Sequence, residues 1–73
     1  MQVSCRIEIE HEADGRFLAE VQELTGVMAY GQTAEDALAH VQALALRVLA
    51  DRLEHGEGPG GPVSVSFETF AAA

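Results

Sequence analysis

Residues 31–56 read GQTAEDALAHVQALALRVLADRLEHG, and this stretch decides the fold. Thr33 is a good helix N-cap, and Asp36 three positions on forms a capping-box-like pair with an acid in the first turn. Alanine and leucine then dominate to about Glu54, with His55 in the final turn and Gly56 placed as the C′ residue. The segment therefore predicts one long helix from Ala34 to about Glu54. At 100° per residue, Leu38, Val41, Ala45, Val48 and Leu49 form its central apolar stripe. Leu44 widens the stripe on one side, and Leu46 and Leu53 widen it on the other. The apolar sector then spans about half the circumference, more than the ~100° needed to cover one sheet. Either the sheet curls around the helix, or the flank at Leu46 and Leu53 meets another chain, which makes these two leucines the expected oligomer contact. Asp36, His40, Arg47, Asp51 and Glu54 make up the solvated side.

Both flanks of the helix read as strands. Toward the N-terminus, Val3, Cys5, Ile7 and Ile9 alternate with Ser4, Arg6, Glu8 and Glu10, the period-two pattern of a half-buried strand. His11 to Gly15 interrupts it as a five-residue hairpin loop ending in Asp-Gly. A second strand follows, with Phe17, Ala19 and Val21 inward and Leu18, Glu20 and Gln22 outward. After a connection at Glu23–Gly26, Val27 to Tyr30 reads as a third strand whose register stays open, since all four side chains are apolar. Beyond the helix, Glu57 to Pro62 is a linker. Its Gly58-Pro59-Gly60-Gly61 run lacks the Lys-Ser/Thr of a phosphate-binding loop. Val63, Val65, Phe67 and Thr69 then alternate with Ser64, Ser66, Glu68 and Phe70 as a fourth strand, and Ala71 to Ala73 reads as a fraying tail.

The expected fold is α+β, a single domain over residues 1–73. Its order is β-β-β-α-β, a mixed four-stranded sheet covered on one face by one helix. The fourth strand can lie parallel to the first or the third. The uncovered face would carry Arg6, Glu8, Glu10, Glu20 and Glu68.

Charge narrows the partners. Twelve acids stand against four arginines, no lysine is present, and the net charge is −8. Such a surface repels nucleic acid and anionic membranes and attracts a basic protein. A single Cys5 makes no internal disulfide, and the first residues lack the basic and apolar regions of a signal peptide. The longest apolar run, Ala43–Leu46, is far below the ~20 residues that span a bilayer. A cytoplasmic location is expected. At 73 residues the core is thin, which favours self-association or docking on a partner, and the wide apolar helix flank together with the strand edges makes a homodimer or higher homo-oligomer the expected state.

Three fragments in order resemble the HicB-like antitoxin family. Asp14-Gly15-Arg16-Phe17-Leu18-Ala19-Glu20-Val21 is similar to the family's acidic hairpin, and Leu24-Thr25-Gly26 resembles its Leu-Pro-Gly connection. Gly31-Gln32-Thr33-Ala34-Glu35-Asp36-Ala37-Leu38 resembles its Gly-x-Thr-x-Glu-Glu-Ala helix entry. Thr25 stands where the family often has Pro, and Val27 where it often has Cys. The resemblance implies a partial ribonuclease-H-like fold and a non-enzymatic protein that binds and masks a small basic RNA-cleaving toxin of the HicA type. It implies no cofactor. Family members often continue into an operator-binding domain, for which these residues carry no counterpart, so direct nucleic-acid binding is not expected. The alternative expectation is a stand-alone ligand-binding or structural module whose toxin partner has been lost.

Glu8, Glu10 and Glu20 on the uncovered face are the expected partner contacts, with Tyr30 and Phe70 as aromatic anchors or core edges. Ribonuclease-H-like topology also raises two-metal chemistry, with Glu8 or Glu10, Asp36 and Glu68 as candidate ligands. Asp36 is already explained as a capping acid, and anionic surroundings oppose an RNA substrate. His11, Glu12 and Asp14 cluster near the hairpin turn, while His40 and His55 share no i,i+4 face with another ligand. All three histidines read as solvated, so no metal site is expected. Cys5 points inward and reads as a small hydrophobe.

Overall fold

A computed structural model describes residues 1–58 and 60–71. Five elements follow one another: β1 (Gln2–His11), β2 (Phe17–Val21), β3 (Met28–Gly31), α1 (Ala34–Glu54) and β4 (Ser64–Ala71). They build the expected mixed four-stranded sheet, in the order β3-β2-β1-β4, with one helix. β1 pairs antiparallel with β2, β2 antiparallel with β3, and β4 parallel with β1. Pro59 of the expected linker and residues 72–73 of the expected tail lie outside the described residues.

The alternation in β1 sets the two faces. Val3, Cys5, Ile7 and Ile9 face the helix, and Ile7 and Ile9 stand opposite Val21 and Ala19 of β2. His11 extends β1 by one residue beyond the expected turn, because its ring stacks on Phe17 across the pair at 4.3 Å between centroids. The loop is therefore Glu12–Arg16, held by Glu12 N–H donating to the Arg16 carbonyl at 2.8 Å.

β3 begins one residue later than expected. Val27 is buried in the turn, where it donates to the Leu24 carbonyl and accepts from Val21 N–H. That fixes the open register: Ala29 pairs with Ala19 on the helix side, and Met28 and Tyr30 turn outward beside Glu20 and Leu18. At the other end β4 starts at Ser64 and includes Ala71, which pairs with Ile9 rather than fraying.

The helix keeps its expected bounds. Thr33 Oγ1 accepts from Asp36 N–H at 3.0 Å, and Gly56 takes φ +73 just after the C-cap. Its buried row is Ala37, Val41, Ala45 and Leu49: Val41, Ala45 and Leu49 belong to the expected stripe and Ala37 joins them, while Leu38, Leu44 and Val48 are only partly covered. The reason is Gly31: a Cβ there would lie 2.3 Å from the Ala37 nitrogen. With no side chain at Gly31 and only methyls at Ala19, Ala29, Ala37 and Ala45, helix and sheet approach closely over β2 and β3. The core holds no buried polar side chain among the described residues.

Candidate functional site: the uncovered sheet face

α1 occupies one face of the sheet, and among the described residues no element covers the other. Reading across the strands, one row of the bare face runs Met28, Glu20, Glu8, Phe70, and the next runs Tyr30, Leu18, Glu10. Arg6 and Glu68 stand side by side in a third row. Register thus brings the three expected partner contacts, Glu8, Glu10 and Glu20, onto one patch at the centre of the sheet. Apolar side chains border them: Met28, Tyr30 and Phe70 are each 40–43% exposed.

Counter-charge on this face is already committed. Arg6 gives its backbone N–H (2.7 Å) and its guanidinium Nε (2.9 Å) to the two oxygens of Glu23. Arg16 gives its backbone N–H (3.0 Å) and Nε (2.7 Å) to Asp14, and its guanidinium lies 4.1 Å over the Tyr30 ring. These bonds hold both acids below the usual carboxylate range, the backbone donor contributing most in each case. Glu8, Glu10, Glu20 and Glu68 have no ion-pair partner among the described residues. Glu8 and Glu20 stand opposite each other, an arrangement that is unfavourable between like charges in an isolated sheet.

The other sequence candidates do not converge. Asp36 sits at the helix start on the covered face, with the sheet between it and Glu8, Glu10 and Glu68. Among the described residues no group of three His, Cys, Asp or Glu side chains stands close enough to hold a metal ion. His11 is stacked on Phe17, His40 Nδ1 lies 3.1 Å from the Tyr30 carbonyl, and His55 Nδ1 lies 2.8 Å from the Asp51 carbonyl. Cys5 is buried, and desolvation, then the charge of Glu23, push its thiol pKa up, so it remains protonated at neutral pH.

Leu46 and Leu53 lie on the helix, 48% and 43% exposed, away from the carboxylate patch. Sequence reasoning missed Met28 as part of the bare face. The signal that recovers it is the buried Val27, which belongs to the turn and so sets the alternation of the strand after it.

No helix among the described residues is long and apolar enough to cross a membrane. Compared with family models, with curated proteins and with solved structures, the chain matches none of them.

Proposed function

We propose that this protein is a non-enzymatic HicB-like antitoxin domain that masks a small basic RNA-cleaving toxin of the HicA type. The observation that carries this reading is the bare sheet face, where Glu8, Glu10 and Glu20 lie together with no ion-pair partner among the described residues, inside a border of Met28, Tyr30, Leu18 and Phe70. A protein that holds RNA must present cations. A face with unpaired carboxylates at its centre and exposed aromatic and thioether groups around them suits such a surface. Charge speeds the encounter, and the apolar border supplies desolvated contact. The resemblance of the hairpin, the Leu-Thr-Gly bend and the helix entry to the antitoxin family supports the same reading. Self-association accompanies it, with the exposed Leu46 and Leu53 as one candidate contact.

The test is capture at low salt on immobilised protein from the native cell, identification of bound chains by mass, and an RNA-cleavage assay on what is captured. A small basic chain whose cleavage of RNA is suppressed by the added protein is the expected result. Recovery of no cationic chain, or cleavage that the added protein leaves unchanged, contradicts the proposal.

A further inference from the structure

β4 ends the sheet, and among the described residues nothing pairs with its far side. Ser64 N–H donates to the Met1 carbonyl at 2.8 Å. Backbone groups alternate sides along a strand, so Ser64, Ser66, Glu68 and Phe70 are used by β1. Val65, Phe67 and Thr69 therefore point their N–H and C=O groups away from the molecule. Natural edges of this length are blunted by proline, by charged side chains (lysine above all), by an inward charge or by a bulge. β4 is eight residues, SVSFETFA, with no proline, lysine, inward charge or bulge, and a single outward carboxylate at Glu68. β3, the opposite edge, is four residues long, and the carbonyl of its Tyr30 lies 3.1 Å from His40 Nδ1.

The inner side of β4 is also under-covered. α1 bears mainly on β3 and β2, so Val65 and Phe67 are only partly buried and Thr69 is exposed. The radius of gyration is 13.1 Å, against about 11 Å for a compact chain of this length.

The strand is self-complementary about Phe67, near its middle. A two-fold axis normal to the sheet keeps inner residues on the inner side, so odd-numbered residues must face odd-numbered ones. Centring the axis on Glu68 sets two carboxylates together where side chains approach most closely. Centring it on Ser66 sets Thr69 against Val63, which lies outside the strand. Centring it on Phe67 lets Phe67 bond Phe67 and Val65 bond Thr69 in both directions. That register also brings the two phenylalanine rings together under the sheet and places each Glu68 opposite Ser66.

We propose that β4 is the self-association edge of this protein, pairing antiparallel with β4 of a second copy about a two-fold axis at Phe67, so that two sheets become one. This deepens the self-association proposed above and is independent of the cationic partner. With −8 on each copy, the dimer tightens as salt screens the repulsion.

Sedimentation equilibrium on the full chain at physiological and high salt, with far-UV circular dichroism as the folding control, tests this. Thr69→Pro removes an N–H that the single chain does not use, a position where edge strands tolerate proline. The wild type is expected to dimerise, more tightly at high salt. Thr69→Pro should keep the wild-type spectrum and raise the dissociation constant roughly 30-fold, the worth of two backbone bonds. Ser66→Lys, opposite Glu68, should tighten the dimer about fivefold, and Ser66→Glu should weaken it by about as much. The Ser66 pair decides the matter if Thr69→Pro does not fold.

A 7.8 kDa monomer at millimolar concentration in high salt overturns the proposal. So does a dimer that Thr69→Pro leaves intact, which would place the contact at Leu46 and Leu53 instead. Equal dissociation constants for the two Ser66 variants overturn it as well.

Discussion

Glu8 and Glu20 stand directly opposite each other on β1 and β2, with Phe70 on one side and Met28 on the other. No cation among the described residues separates them. A sheet selected for stability alone would put opposite charges or β-branched residues there. Glu20→Gln removes the repulsion while keeping the shape, and is expected to stabilise the fold by about 0.5 kcal/mol in urea denaturation. The same change should weaken binding of a basic partner. A variant less stable than the wild type would show that the pair is not under strain.

Gly31 governs how close helix and sheet lie. A methyl group added there meets backbone at Asp36 and Ala37, neither of which is the yielding end of a side chain. Gly31→Ala is expected to cost about 2 kcal/mol, in the range of an overpacked core. Ile7→Val, which removes one methyl from a fully buried site, should cost about 1 kcal/mol. Denaturant midpoints measure both, and a Gly31→Ala variant as stable as the wild type would contradict the close approach.

Acid sensitivity follows from the two arginine-bound carboxylates. Asp14 and Glu23 are held below their ordinary values in the folded chain, so the folded state binds fewer protons than the unfolded one in the acid range. Their contribution is fully present at neutral pH. It begins to fade as pH falls through the unfolded carboxylate range, at about pH 4, and is lost as pH falls through the depressed native values. Both pairs are exposed, so the effect is modest and salt weakens it further. Urea midpoints measured from neutral to acid pH should fall along this limb, and Glu23→Gln should flatten it. An unchanged slope in that variant would remove Glu23 from the account.

Much of this was legible in the sequence, for identifiable reasons. β1 and β4 alternate strictly, so their faces could be assigned residue by residue, and α1 carries a cap at each end. Alternation in β1 and β2 alone puts Glu8, Glu10 and Glu20 on one face. The third strand was not legible, because four apolar residues in a row carry no period; only the turn bonds of Val27 settle it. The burial of Ala37 is hidden for another reason. It depends on a missing side chain at Gly31, and hydropathy patterns do not register close backbone approach. The choice of β1 as parallel partner for β4 was likewise open, since either edge of a meander can accept a returning strand.

The central claim is that the bare sheet face is what holds the cationic partner. Its most direct measurement is low-salt capture from the native cell on two immobilised proteins, the wild type and the Glu8→Lys/Glu20→Lys double variant, both shown folded by circular dichroism. A small basic chain retained by the wild type, released by salt and not retained by the charge-reversed variant is the predicted result. Equal retention by both proteins would contradict it.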